Sequence, residues 1–472
     1  MTENEVIYMR LNHNALAYTA NNNLNAINNN LTKSMQRLSS GYKVNKSSDD
    51  PAAKAISQRM EAQIRGLSKA VDNSNDGISL IQTAEGALDE VHSILARIRE
   101  LAVRGANEVY EEVDRDAMQD EIRQLQEELD RISESTEFNG RKLLNGELNK
   151  KGYVDTDGLS IVEIGGDIEP GEYGITVKAT GTQAKTNLTV LAGGTVITKE
   201  QAGTVTINGL EVRVEEGDTS DDVNEKIRNA AAKIGIDYNI TTGELVSQQS
   251  GKSQSITVKA TSDDLRALLG TDQPTVYGTD AKAEFMTDNG KRIGFADTAT
   301  IDTDGNRITV TDKNGFKMVY DAQLDSPTGG IGDATVTVLS AGPMVIQIGN
   351  NEGQTLNVNI SKTTAESLEI NHINVYTNAY ASEAIERVDD AVAKISGIRS
   401  ALGAYQNRLD HTVNNLETAD ENLTSAVSRI RDTDMAEEIT EYTQQNVLSQ
   451  SALQMLIKSN ARPEGLLQLF QR

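Results

Sequence analysis

The chain begins and ends in helical patterns of apolar residues, with a β-like middle between them. In the first region, apolar residues recur at steps of three and four, at Leu24, Ile27, Leu31, Met35 and Leu38. The last region keeps nearly the same rhythm from Ile385 to Ile430. This spacing places apolar side chains in one narrow stripe of a helix, which requires another helix to cover it. The pattern therefore predicts long helices at both ends that pair with each other.

Capping signals place the first long helices more closely. Acidic residues up to Asp50, followed by Pro51, are typical of a helix start and predict a helix from Ala52 to Asn107. A second helix is expected from about Glu111 to Glu137, ending at the turn signal Phe138-Asn-Gly140. The first of these helices contains glycines that would permit close approach of a neighbour, at Gly66, Gly77 and Gly86.

The C-terminal pattern predicts helix from about Ile373 onward. A last amphipathic segment covers Met435 to Phe470, and Pro463 is expected to break it near the end. The Asn-rich first helix is a poor helix former in isolation. We therefore expect the outermost residues at each end to fold only against partners.

Residues 151–341 have a different pattern, with Gly-rich turns and alternating apolar and polar residues. Strands are predicted at Thr204–Ile207 and Ser255–Val258, with one helix from Ser220 to Lys233. A hairpin is predicted from Ile308 to Val319, turning at Asn314-Gly315. The fold class expected for the whole chain is a mainly α, coiled-coil-like terminal rod of antiparallel long helices with an inserted β-rich α+β outer domain.

Composition narrows the possible functions. The 472 residues include no Cys, no Trp and only four His, so thiol and zinc–cysteine chemistry are excluded. The formal charge of −25 argues against binding nucleic acid or an anionic membrane surface. No apolar run approaches the length of a membrane span, and the N-terminus lacks the features of a cleaved signal peptide. We expect no cofactor, no nucleic acid and no membrane insertion.

Several motifs at both ends resemble bacterial flagellins, in the order found in that family. These are Leu38–Ala52, Leu95–Asn107, Phe138–Leu144, Ile346–Gln354, Ile398–Leu409 and Arg462–Leu467. In the middle, five further segments resemble a small module of flagellin and hook-protein insertions: Ile207–Gly209, Val212–Val214, Glu216–Thr219, Val223–Ala230 and Gly243–Leu245. The family pattern begins at Met9-Arg-Leu-Asn-His-Asn14, so the first eight residues are extra and Met9 is a candidate start.

The resemblance implies a domain organisation. Residues 1–45 with 430–472 would form the terminal helices of an inner tube, and 46–150 with 342–429 a rod domain. Residues 151–341 would form a variable outer domain, containing the flagellin and hook-type module at about 204–270.

The resemblance also implies a function and a set of partners. The chain would be a structural, self-assembling subunit of the helical flagellar filament. It would be exported by the flagellar type III apparatus for motility and located outside the cell. Its expected partners are other copies of itself, an export chaperone, the filament cap and hook-junction proteins, and the innate Toll-like flagellin receptor.

Candidate contact residues follow from the same resemblance. Arg97, Leu101 and Glu121 match receptor-contact positions, although Ala96 stands where the family commonly has Gln; the alternative is that these residues pack laterally in the filament. The terminal helices contribute the assembly and chaperone candidates Leu24, Ile27, Leu31, Leu448, Leu453, Leu456, Leu466 and Leu467.

Other functions remain as alternatives. The chain could be the hook–filament junction protein, which shares both termini, or a minor flagellin whose outer domain is an adhesin, binds a ligand or carries an enzyme. A zinc protease needs two closely spaced His around a Glu, whereas His372 is the only His between residues 93 and 410. Asp302–Asn306 hints at a calcium loop, but its Gly is misplaced and Lys313 replaces the closing Glu, which favours a turn. No enzymatic activity is expected.

Overall fold

The computed structural model describes residues 14–165, 168–191, 193–271, 274–288, 291–313, 316–323, 330–339 and 341–470, without the side chains of Asp288 and 463–470. The helices are α1 (Ala15–Ser40), α2 (Pro51–Gly105), α3 (Glu112–Ser135), α4 (Ser220–Lys233), α5 (Asp263–Leu269), α6 (Asn378–Arg431) and α7 (Met435–Phe470). The chain divides into two compact units. One contains residues up to Ser74, 347–354 and the chain from His411 onward, and the other contains 75–346 and 355–410.

Short strands fill the middle of the chain. The first eleven are β1 (Glu137–Phe138), β2 (Arg141–Lys142), β3 (Gly152–Val154), β4 (Leu159–Gly165), β5 (Gly171–Ala179), β6 (Gln183–Asn187), β7 (Gly203–Ile207), β8 (Leu210–Val214), β9 (Ile236–Asn239), β10 (Glu244–Ser250) and β11 (Ser255–Ile256). The others are β12 (Val258–Ala260), β13 (Val276–Tyr277), β14 (Lys282–Phe285), β15 (Thr287–Asp288), β16 (Lys291–Arg292), β17 (Thr300–Asp304), β18 (Arg307–Thr311), β19 (Lys317–Ala322), β20 (Gly332–Val338), β21 (Met344–Gln347) and β22 (Thr355–Val358).

In the first unit, α1 and α7 pack in antiparallel orientation. The side-chain amide of Asn14 donates to the Ser459 carbonyl at 2.9 Å, near the start of one helix and late in the other. At the opposite end, buried Ser34 donates to the Glu438 carbonyl at 3.4 Å. The segments of α2 and α6 that belong to this unit also run antiparallel to each other. The hydrophobic core between them consists of Leu67, Ala70 and Leu416.

The start of α2 follows from its capping residue. Asp50 accepts a hydrogen bond from the Ala53 amide at 2.9 Å, and Pro51 occupies the first helical position. This geometry satisfies an amide that has no intrahelical partner.

Two of the three interior glycines of α2 lie where a neighbour approaches closely. A Cβ at Gly66 would lie 3.0 Å from the Asn350 Cβ, and one at Gly77 would lie 2.7 Å from the Ile346 Cδ1. A Cβ at Gly86 would meet nothing within 4 Å, so close approach explains the first two glycines but not the third.

The helical part of the second unit is a bundle of α3 with segments of α2 and α6. Its core side chains recur at alternating steps of three and four along α2 and along α6 as far as Ile395, and then at steps of seven, as the heptad pattern predicts. The fully buried members on α2 are Ile81, Ala84, Leu88, Val91, Leu95, Ile98 and Ala102. Those on α6 are Ala381, Ala384, Val388, Ala391, Ile395, Leu402 and Leu409.

The β-rich region of the second unit has two separate hydrophobic cores. The first lies among the sheets β6-β10-β9 and β12-β7-β8, with α4 and α5 packed against them. The second lies between the sheets β14-β5-β20-β3 and β17-β18-β19-β4. It contains an aromatic cluster in which the rings of Tyr173 and Phe316 lie 5.2 and 5.6 Å from the ring of Phe295. The fold class expected from the sequence, helical termini around an inserted β-rich region, is confirmed.

Individual sequence predictions meet different outcomes. Helix α4 matches the predicted bounds, and β18 pairs with β19 as the predicted hairpin, whose turn at 314–315 lies outside the described residues. Residues 302–306 form the end of β17 and a two-residue turn into β18, with Gly305 at φ +60°. The predicted strand 255–258 is divided at Thr257.

Two helix boundaries differ from the sequence prediction. Helix α6 begins at Asn378 rather than Ile373, because the backbone around Ile373 and Val375 is hydrogen-bonded by the side chain of Gln119 instead of by a helical turn. Helix α7 continues through Pro463 to Phe470. A proline removes one backbone hydrogen bond and disfavours a helix locally, without preventing helix on both sides of it.

Candidate contact surfaces

Arg97 and Glu121 form an ion pair on the surface of the helical bundle. The Arg97 Nε lies 2.7 Å from Glu121 Oε1, and its Nη1 lies 2.5 Å from Glu100 Oε2. Arg104 extends the chain of charges, with Nη2 at 2.8 Å from the other oxygen of Glu100. Hydrogen bonds to Glu121 and Glu100 raise the pKa of Arg97, and the bond from Arg97 lowers the pKa of Glu100. The result is an oriented cluster of two cations and two carboxylates on α2 and α3.

Leu101 lies beneath this cluster rather than on it. Its side chain is 1% exposed, one turn after Arg97 on α2. The structure therefore brings Arg97 and Glu121 together on the surface and places Leu101 in the core that supports them.

The terminal candidates divide into half-buried residues and exposed ones. On α1, Leu24, Ile27 and Leu31 are half-buried, in the same stripe as buried Ser34, which contacts α7. On α7, Leu456 is half-buried, whereas Leu448 and Leu453 are 41% and 48% exposed. The candidates Leu466 and Leu467 lie in the part of α7 whose side chains are outside the described residues.

The residues of α7 that bond to α1 are mostly polar, and apolar side chains are exposed at several positions around the rest of α7. Glu438, Ser449 and Ser459 make hydrogen bonds to α1 through side chain or backbone. The exposed large apolar residues of the pair are Leu16, Tyr18, Met35, Met435, Ile439, Val447, Leu448, Leu453, Met455 and Ile457. An exposed apolar surface of this extent is typical of a protein–protein contact. The exposed apolar side chains of the paired helices α1 and α7 therefore indicate a protein that associates through its terminal helices.

Three polar residues of α3 form hydrogen bonds to the backbone of the irregular segment before α6. The sequence pattern did not identify them as functional residues. The guanidinium of Arg115 donates to the Gly105 carbonyl at the end of α2, and to the Asn107 and Val375 carbonyls at 2.9 Å each. Gln119 donates to the Ile373 carbonyl at 3.1 Å and accepts from the Val375 amide at 3.0 Å. The side-chain amide of Gln126 donates to the Ile370 carbonyl of the same segment. In the sequence they resemble ordinary solvated residues of an amphipathic helix, because their partners lie far along the chain.

Metal binding and membrane insertion are two further functions that the described residues can be tested for. Within the described ranges, no three His, Asp or Glu side chains are grouped so that they could hold a metal ion. Among the helices described, none combines the length and apolar character required to cross a membrane.

Comparison with known proteins identifies the family. Residues 11–149 match the bacterial flagellin N-terminal helical region, and residues 385–470 match the bacterial flagellin C-terminal helical region. A flagellin of Clostridium tyrobutyricum is 34% identical over 97% of this chain and 100% of its own length. Flagellin B of Vibrio cholerae is 32% identical over 98% of this chain and 99% of its own length. Among solved structures, flagellar hook associated protein-3 from Legionella pneumophila matches with a TM-score of only 0.31 and 14% identity, covering 79% of this chain and 98% of that one.

This chain belongs to the bacterial flagellin family. It is therefore a structural subunit of the extracellular flagellar filament and not an enzyme, as the sequence motifs indicated.

Proposed function

We propose that this chain is the major filament subunit, exported through the flagellar type III apparatus and assembled from its helical ends. In this proposal, residues 1–45 with 430–472 form the inner tube, and 46–150 with 342–429 form the rod domain. Residues 151–341 form the variable outer domain, with a hook-type module at about 204–270. The filament cap and hook-junction proteins are its neighbours during assembly.

The observation that carries this proposal is the set of apolar side chains that α7 leaves exposed when it is paired with α1. Side chains such as Val447, Leu453 and Met455 are 57%, 48% and 66% exposed in the single chain. Each would gain transfer free energy on being covered, at about 25 cal/mol per Å² of apolar area. Neighbouring copies that cover these side chains would therefore stabilise the terminal helices and couple their order to assembly.

A deletion of residues 436–472 tests the proposal. We expect a soluble monomer that cannot extend filament seeds, as seen by electron microscopy, because the helix that bears the exposed apolar side chains is gone. The control is the full chain, which should extend the same seeds into long filaments. Normal filaments from the deleted chain would refute assembly through the paired ends.

The receptor proposal is carried by the Arg97–Glu121 ion pair. Its oriented charges would contact the Toll-like flagellin receptor, and Leu101 would support them from the core. We expect Arg97→Ala to weaken receptor activation by the monomer, with Arg123→Ala as the control because Arg123 is 59% exposed and pairs only locally with Asp120. If Arg97→Ala instead impairs filament extension and leaves activation unchanged, the pair is a lateral packing contact.

The export chaperone would cover α7 before assembly, through Leu448, Leu453, Leu456, Leu466 and Leu467. Cross-linking from this helix during export checks the proposal, and a chaperone that cross-links only to the β-rich region would contradict it.

The alternative of a hook–filament junction protein shares the same helical ends. Seeded assembly separates the two, because a junction protein adds a limited layer whereas the major subunit grows long filaments. The alternative of a minor flagellin with a ligand-binding outer domain concerns residues 151–341 and is compatible with assembly through the ends.

A further inference from the structure

Apolar side chains are exposed at the turn between α2 and α3, within the second unit. Every residue from 107 to 114 is exposed. Val109 and Val113 are 80% and 76% exposed, the largest fractions among the large apolar residues described, and Val103 and Tyr110 are 47% and 37% exposed. We call these four residues the turn patch. Apolar side chains grouped in this way on a surface are typical of a protein–protein contact.

The charge around the turn patch is negative. Residues 107–114 contain four carboxylates and no cation: Glu108, Glu111, Glu112 and Asp114. Lys233 bonds one of them, Glu112, at 2.8 Å. The turn therefore keeps an excess of negative charge, and a complementary surface would be apolar with an excess of cations.

A groove with that character lies elsewhere in the same unit, beside α6. It has a volume of about 1020 Å³. The cations that line it are Lys150, Lys317, Lys362, Lys394 and Arg408, and the carboxylates are Glu163 and Glu169. Its apolar lining includes Pro343, Val345, Ile398 and Tyr405, of which Val345 is 60% exposed. We call this depression the basic groove.

The lysines of the basic groove keep hydrogen-bonding capacity although each has a partner. Three pair with carboxylates: Lys317 with Glu163 at 3.4 Å, Lys362 with Glu366 at 3.4 Å and Lys394 with Glu369 at 2.7 Å. The ammonium of Lys150 donates to the Ile168 carbonyl, which leaves its charge uncompensated. An ammonium has three donors, so one partner does not use them all. With Glu366 and Glu369 counted, five cations face four carboxylates, so we expect the charges to orient a partner and apolar contact to hold it.

The turn patch and the basic groove are too far apart to meet within one chain. The side-chain amide of Asn378, the first residue of α6, donates to the Ala106 carbonyl beside the turn at 2.7 Å. Lys394 and Arg408 lie further along α6, roughly 24 and 45 Å from Asn378 at about 1.5 Å per residue. An occupant of the groove with the chemistry of the turn patch must therefore come from another copy.

We propose that the turn patch of one copy docks into the basic groove of the next copy. Because the two surfaces differ, each bound pair leaves one turn patch and one basic groove unoccupied, and such a contact continues into a helical row of copies where the rotation does not close a ring. This inference rests on the proposed function for the identity of the partner, another copy in the filament. It adds a contact that is separate from the one made by the exposed side chains of α7.

Cysteine cross-linking tests which surfaces meet. The chain contains no Cys, so Val109→Cys and Val345→Cys each introduce a single thiol. Equal amounts of the two full-length variants are grown together on seeds of the unmodified chain, treated with a short bis-maleimide linker and separated on a denaturing gel. We expect a cross-linked dimer in the mixture and none when either variant is grown alone. The matched control replaces Val109→Cys by Val196→Cys, a valine that is 54% exposed and outside both surfaces, and should give no dimer.

Filament growth gives a second, independent measurement. Val109→Gln combined with Val113→Gln should raise the subunit concentration needed to extend seeds at least about tenfold, because two exposed valines are no longer buried between copies. The matched control is Val190→Gln combined with Val196→Gln, at valines that are 40% and 54% exposed, and it should grow as the unmodified chain does. Circular dichroism of each monomer confirms that the variants are folded.

Several outcomes would overturn the proposal. Dimers formed by Val109→Cys alone or by Val345→Cys alone would indicate a symmetric contact, and equal dimer from the Val196→Cys mixture would show that proximity in the filament is not specific. Absence of dimer in every mixture, or unchanged growth of the Val109 and Val113 double variant, would exclude the contact. Deletion of residues 436–472 tests the proposed function separately, so loss of growth in that deletion together with any of these outcomes would reject this contact alone.

Discussion

Gly105 ends α2 at a point where Val375 packs against the backbone. A Cβ at this position would lie 2.7 Å from the Val375 Cβ, an atom that no side-chain rotation can move away. We expect Gly105→Ala to lower the free energy of unfolding by about 1–3 kcal/mol, as overpacking does in other cores. Urea unfolding of the monomer, followed by circular dichroism of the helical signal, measures the change.

Gly86 in the same helix is the matched control. A Cβ there meets nothing within 4 Å, so alanine should stabilise the helix by up to about 1 kcal/mol. Equal effects of the two substitutions, in either direction, would show that the close approach of Val375 does not explain Gly105.

Glu369 should make the stability of the second unit depend on pH. Burial alone would raise the pKa of its carboxyl, but the hydrogen bond from Lys394 at 2.7 Å and the charge of Arg307 lower the pKa overall. A lowered pKa in the folded state stabilises the protein above the unfolded pKa of about 4.3, and this contribution is lost as the pH falls through the folded value. We expect Glu369→Gln to destabilise the protein at pH 7 and to make little difference in strong acid.

The control for this prediction is Glu366→Gln. The Glu366 side chain is 71% exposed and lies 3.4 Å from Lys362, so its pair contributes little. Unfolding midpoints of both variants across the acid range would contradict the assignment if the effect of Glu369→Gln grew as the pH fell.

Individual residues also show which features of the contact surfaces could be predicted from the sequence and which could not. Motif resemblance selected Arg97, Leu101 and Glu121 together, but burial separates Leu101 from the surface pair. The role of Arg115 could not be predicted, because one of its carbonyl partners, Val375, lies 260 residues away. The local sequence pattern predicts which face of a helix is buried. It does not predict which distant segment of irregular backbone will pack against that face.

At the scale of elements, capping signals locate helices closely: α4 has the predicted bounds, and α2 and α3 differ from theirs by one or two residues at each end. Helix α4 begins where Thr219 and Asp222 form a reciprocal capping box. Strand bounds depend on partners elsewhere: β11 and β12 separate at Thr257, whose amide donates to the Asn208 side chain at 2.7 Å. That hydrogen bond joins Thr257 to the turn between β7 and β8, 49 residues away, so alternation alone could not reveal the division.

The exposed leucines of α7 lead to a prediction about filament growth. Replacing both Leu448 and Leu453 by Gln removes apolar side chains that are 41% and 48% exposed in the single chain. We expect little change in monomer stability, since surface substitutions usually change it by less than about 0.5 kcal/mol. Filament growth from seeds should require a higher subunit concentration, because the apolar area buried between copies is smaller.

Gln454→Ala is the control on the same helix, at an exposed polar position. It should leave both the monomer stability and the concentration needed for growth unchanged. Unaltered growth of the double Leu variant, measured by sedimentation of filaments, would exclude these two side chains from the contacts between copies.

At the scale of the whole molecule, the β-rich region enters and leaves the helical bundle at one place. The Lys151 amide donates to the Ala341 carbonyl at 3.1 Å, and the Leu339 amide donates to the Lys151 carbonyl at 2.8 Å. The region has its own two hydrophobic cores, distinct from the buried stripes of α2 and α6. Its removal therefore need not disturb the helical core, and its ends can be joined by a short link.

We expect a chain in which Gly-Gly replaces residues 152–340 to remain helical and to extend filament seeds. Some stability will be lost, since Tyr376 and Tyr380 pack against the first β-rich core and Lys233 bonds Glu112 at 2.8 Å and Asp116 at 3.0 Å on α3. Circular dichroism measures the helical content, and electron microscopy the filaments. Removing residues 436–472 from the shortened chain should abolish growth, which places assembly in the helical ends. A shortened chain that folds but never extends seeds would instead assign an essential part of assembly to the inserted region.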